Sequence, residues 1–120
     1  MKRIIPGKRL RAKVINLLEQ AYEDDDTELG KRALRLVCWE FGLKVPRLYF
    51  KARIRHNLAG QCYEDGDRID VSKPSVWKAE GRTRHAWLLV VLHEFGHHVL
   101  WADRERKADL FARRWLDKRI

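Results

Sequence analysis

The chain reads as a small α+β domain: two N-terminal helices, a three-stranded and mainly antiparallel sheet, an apolar helix, and a closing amphipathic helix. Three observations predict this. Apolar residues recur at helical spacing over 8–22 and 27–41. They then alternate strictly with polar ones over 47–55. Finally, the uncharged run over 86–92 leads into His93-Glu94-Phe95-Gly96-His97, which reads as the continuation of one buried helix. At 120 residues the chain can build one core without staples, so 1–120 is read as a single domain. Hydrophobic content of 45% with 36% charged residues fits a globular fold with a heavily charged surface.

In the first helix Leu10, Val14, Leu17, Leu18 and Ala21 form the apolar stripe, and Ile15 widens it. An acidic turn, Glu23-Asp24-Asp25-Asp26, follows and is read as solvated. Asp26 or Thr27 caps the second helix, and Gly42 stops it. Both helices are expected to cover the sheet. Val45-Pro46 is extended, because the residue before proline avoids the helical region. The first strand then sets Leu48, Phe50, Ala52 and Ile54 against Arg47, Tyr49, Lys51, Arg53 and Arg55. Residues 59–64 and 67–72 form a hairpin about Asp65-Gly66, a strong two-residue turn. The stretch 73–81 reads as a connection anchored by Trp77. The apolar helix spans about 83–101, and a last helix carries Glu105, Asp109, Leu110, Phe111 and Trp115.

The chemistry lies in the apolar helix and the closing helix. Residues four apart share a helix face, so His93 and His97 can close on one metal ion, with the Glu94 carboxylate beside them as general base. A mid-helix glycine costs about 1 kcal/mol relative to alanine, so Gly96 implies close approach of another backbone. Downstream, Glu105 and Asp109 again lie four apart. Glu105 is the candidate third ligand, and Asp109 the acceptor for the outer ring N–H of a ligating histidine. The short gap demands a tight turn near Ala102-Asp103, with Asp103 as N-cap. His56, His85 and His98 are read as non-ligands, and Cys38 and Cys62 as free thiols.

His93-Glu94-x-x-His97 followed by Glu105-x-x-Ala108-Asp109-x-Phe111-Ala112 resembles the gluzincin metallopeptidases. Residues 105–112 look like the matching segment of the membrane-embedded CAAX-processing peptidases, and the chain's size is closer to the soluble minigluzincins. The resemblance implies a zincin-like fold, about one Zn2+ per chain on His93, His97 and Glu105, and hydrolysis of peptide bonds with Glu94 shuttling the proton. It also implies an extended peptide or protein substrate held along a sheet edge by one strand of the hairpin. Zymogen-like latency is a further implication, with a basic terminus either filling the cleft or mediating homo-oligomerisation. Arg113 and Tyr63 are the candidate oxyanion donors.

Composition limits the other functional classes. No apolar run approaches the ~20 residues of a membrane span, and Ile4-Ile5 is too short for a signal segment. Sparse cysteine suits a cytoplasmic protein. The net charge of +9 would attract nucleic acid at low salt, although no nucleic-acid motif accompanies it. The residues therefore leave two other classes open: a basic nucleic-acid-associated protein whose zinc is structural, closed by four ligands that would draw in Cys62 or His98, and a helical-and-sheet binding module without metal.

Overall fold

An apolar helix needs partners on every side, and the rest of this chain supplies them. The computed structural model describes residues 7–53, 60–63, 68–100 and 105–116, with backbone only at Leu100 and 105–107. In chain order the elements are α1 (Lys8–Asp24), α2 (Thr27–Glu40), β1 (Arg47–Lys51), β2 (Gly60–Cys62), β3 (Arg68–Ser72), α3 (Pro74–Ala79), α4 (Arg84–Leu100) and α5 (Glu105–Leu116).

Local chemistry sets the ends of these elements. α1 stops at Asp25, which turns left-handed at φ 51° and donates its N–H to the Ala21 carbonyl. Asp26 caps α2 by accepting from the Glu28 N–H at 2.9 Å. Gly42 ends the same helix at φ 66°, a conformation that glycine adopts without a Cβ penalty. The stretch expected to be a plain connection contains the short helix α3, with Pro74 in its first turn. Proline suits that position, since its missing N–H would have no helical partner there. Trp77 is buried, as expected of an anchor, and its Nε1–H donates to the Thr83 carbonyl at 2.8 Å.

The sheet order is β1-β3-β2. β1 runs parallel to β3 over 47–51, and β2 runs antiparallel to β3 over 60–62. The sheet is therefore mixed, and the expectation of a mainly antiparallel one is corrected. The physical reason lies in β3, where Ile69, Asp70 and Val71 are all buried. That strand takes the central position, and β1 and β2 flank it as edges. The first strand ends at Lys51 rather than at residue 55 as expected, and Ala52, expected on its buried side, is exposed beyond it. The hairpin turn at Asp65-Gly66 and His56 lie outside the described residues.

The register puts Leu48 beside Ile69 and Phe50 beside Val71, with Gly60 and Cys62 on the same face. This face meets the helices. α2 packs over β1, α4 packs over β2 and β3, and α1 sits chiefly on α2 and α4. Only one of the two N-terminal helices thus covers the sheet as expected. α4 touches α1, α2, α3, α5, β2 and β3. Its residues Trp87, Leu88, Val91, Leu92 and Phe95 are buried, as a helix apolar on most sides requires. Trp87 ties the layers together. Its ring meets Tyr22 of α1 at 5.4 Å and Phe50 of β1 at 5.6 Å, and its Nε1–H donates to the Ser72 carbonyl at 2.8 Å. Neither Cys38 nor Cys62 is in a disulfide, and burial pushes the Cys38 thiol up to about 12. Among the described residues no helix is long and apolar enough to cross a membrane.

Replacing Trp87 tests this arrangement. Trp87→Ala should cost about 3–5 kcal/mol in a urea unfolding curve. Trp87→Phe should cost about 1–3 kcal/mol, because it leaves the Ser72 carbonyl without its donor.

Candidate functional site

His93, Glu94 and His97 lie on the last turns of α4, where α5 crosses on one side and β2 on another. The His93 and His97 rings are 4.8 Å apart between centroids and nearly perpendicular, at 83°. Both imidazoles are half-buried. Four-residue spacing on an α-helix brings them together, and the surrounding apolar residues keep that stretch helical.

Gly96 sets the approach of α5. A Cβ at this position would lie 3.0 Å from Phe111 Cβ and Cδ1 and 3.1 Å from Ala108 Cα. The glycine therefore lets the backbone of α5 rest on α4, the close packing that its mid-helix position implied. The contact is held by Ala108, Phe111, Ala112 and Trp115, all buried. Leu110, expected to help hold α5 in place, is instead exposed beside Asp109.

This crossing brings Asp109 Oδ1 to 3.4 Å from His93 Nδ1. A proton on Nδ1 directed at the carboxylate leaves metal ligation to Nε2 and defines the tautomer. Arg113 Nε lies 3.8 Å from Asp109 Oδ2, so the carboxylate stands between a guanidinium and an imidazole. Glu105 is the first residue of α5, one turn before Asp109 on the same side of the helix. Its side chain lies outside the described residues, as do Ala102 and Asp103. Among the described residues no group of three or more potential metal ligands assembles.

Glu94 is buried on the β2 side. A Cβ on Gly60 would lie 2.8 Å from Glu94 Cγ and 3.1 Å from Oε2. Gly60 is thus a site residue that sequence reasoning missed. A signal was present, because a glycine inside a strand marks a close approach by another group. Only the tertiary structure names that group as the Glu94 side chain.

The remaining candidates lie elsewhere. Tyr63 donates its hydroxyl to Asp70 Oδ2 at 3.3 Å, and Arg68 lies over its ring at 5.1 Å. Arg68 also donates to Asp70 from Nε and Nη2, at 2.9 and 3.1 Å. Tyr63 therefore belongs to a polar cluster on the sheet face turned away from α4. His98 is buried and donates from Nε2 to the Lys44 carbonyl at 2.9 Å. It points about 100° around the helix from His97. Cys62 is half-buried on β2, with its thiol 3.9 Å from the Tyr63 carbonyl. His85 is exposed.

Gly96→Ala should lower stability by up to about 2 kcal/mol in urea, since overpacking at about 1–3 kcal/mol offsets or outweighs the gain in helix propensity of about 1 kcal/mol. A stabilised Gly96→Ala protein would mean that α5 does not rest on this position. In comparisons with known proteins, no family model, no curated protein and no solved structure matches this chain.

Proposed function

We propose that the protein is a zinc-dependent endopeptidase of the gluzincin kind, with zinc held by His93, His97 and Glu105. The observation that carries the proposal is the placement of Asp109 against His93 Nδ1, one helical turn beyond Glu105. Two imidazoles on one helix turn, the outer nitrogen of one facing a carboxylate, make a donor set that suits zinc. A solvated charged face, the plain alternative for Asp109, gives no reason for it to meet that nitrogen.

A zinc ion bound there supplies Lewis acidity, lowering the pKa of water and polarising a carbonyl. The chain's own residues do the rest. Glu94 takes the proton of the attacking water and hands it to the leaving amine. Its burial against β2 holds the carboxylate where substrate backbone would run. Asp109 keeps His93 in one tautomer and one orientation. Arg113, reaching Asp109 from the next turn, is the better placed of the two oxyanion candidates, since Tyr63 spends its hydroxyl on Asp70.

The sheet topology supports a choice between the two hairpin strands for substrate binding. Among the described residues β3 is central and has both its edges paired, whereas β2 keeps an unpaired edge beside α4. An extended peptide adding to β2 would pass the Glu94 carboxylate, with its side chains alternating between pockets. Latency and self-association remain proposals for the basic chain ends.

Zinc content and peptide hydrolysis, measured together, test the reading. Wild type dialysed against a weak chelator should hold about one zinc per chain, and Glu105→Ala should lose most of it. Glu94→Gln should keep the metal and lose about 10²–10⁴-fold in cleavage of a peptide library. Wild type that binds no zinc even after refilling would sink the proposal.

A further inference from the structure

A second surface lies on the far edge of the sheet, where among the described residues β1 has no strand beyond it. Between this edge and α2 runs a groove of about 260 Å³. Its floor is apolar, formed by Leu34, Val45, Pro46 and Leu48, and its rim carries Lys31, Arg35 and Arg47. Among the described residues no acidic side chain lines it, and Lys31 shares its charge with Glu28 at 3.3 Å.

Aromatic rings accompany the cations. Tyr49 closes one end of the groove and is 38% exposed. Its ring is braced by the Arg68 guanidinium at 4.9 Å, with Lys51 Nζ at 5.9 Å. Arg68 is fixed in turn by Asp70, so the tyrosine is held rather than freely rotating. Trp39 lies outside the groove lining, further along α2, and is 64% exposed. It stands one helical turn beyond Arg35 on the same side of α2. An indole left in water is costly, and solvation explains a row of lysines and arginines but does not explain exposed rings beside them.

We propose that this groove and its rim bind single-stranded nucleic acid, with phosphates on Lys31, Arg35 and Arg47 and bases stacked on Tyr49 and Trp39. Flat rings give every base a stacking partner, while cations track the backbone, so recognition is tolerant of sequence. The net charge of +9 supplies long-range attraction at low salt. An acidic peptide fits the cations but gives the exposed rings no role, and a duplex hides its bases from them. The inference stands apart from the zinc reading, because none of these residues belongs to that site.

Fluorescence anisotropy of a labelled single-stranded oligothymidine of about 12 nucleotides tests it. Three phosphate contacts predict that log affinity falls with log salt at a slope of about −2, and Arg35→Ala with Arg47→Ala should reduce the slope to about −0.7. Trp39→Ala and Tyr49→Ala should each weaken binding about 5- to 100-fold, and Tyr49→Phe should retain it. Arg9→Ala with Lys13→Ala on α1 should leave affinity nearly unchanged. Circular dichroism checks that each variant is folded. The proposal is overturned if the α1 variant loses as much affinity as the groove variant, or if the aromatic variants bind like wild type. It is overturned equally if duplex DNA or a polyglutamate peptide binds as tightly as the single strand.

Discussion

The approach of α5 to α4 at Gly96 is the contact on which the candidate site depends. Any side chain there would meet Phe111 and the Ala108 backbone within about 3 Å. With glycine, α5 seats Phe111, Ala112 and Trp115 in the core and carries Asp109 to His93. The hydrophobic packing of α5 and the orientation of a histidine are therefore one event. Moving α5 outward would open a void under Phe111 and withdraw the carboxylate from Nδ1 together.

A similar economy operates on the other side of α4. Gly60 allows β2 to lie against the Glu94 side chain, which would otherwise be crowded by the strand. The helix is gripped along its length by Trp87, Leu88, Val91, Leu92 and Phe95, so its polar turn has little freedom to shift. Reactive groups placed on a rigid, fully packed helix keep their geometry without help from loops. His93, Glu94 and His97 occupy the end where α5 and β2 converge.

The two faces of the sheet do different work. The inner face, with Leu48, Phe50, Ile69 and Val71, feeds the core beneath α2 and α4. The outer face holds Tyr49, Arg68, Tyr63 and Asp70 in a cation–π and hydrogen-bonded cluster. Asp70 is buried there, and the bidentate Arg68 contact compensates its carboxylate. That cluster explains why Tyr63, which sequence alone offers as a catalytic donor, is committed elsewhere.

Local chemistry made much of this protein readable in advance. Periodicity located α1, α2, α4 and β1 to within a few residues, and the spacing of His93, Glu94, His97, Glu105 and Asp109 announced shared helix faces, because i,i+4 geometry is a property of the helix itself. Gly96 announced a close approach for the same reason. What no local pattern carries is the order of strands, since pairing depends on which strand is buried on both flanks. β3 became central, the sheet became mixed, and β2 was left with the edge beside Glu94. The partner of Gly60, the exposure of Leu110 and the engagement of Tyr63 with Asp70 were likewise decided by tertiary packing. In each case the deciding contact joins residues far apart in the chain or on different elements, and only the folded backbone brings them within reach.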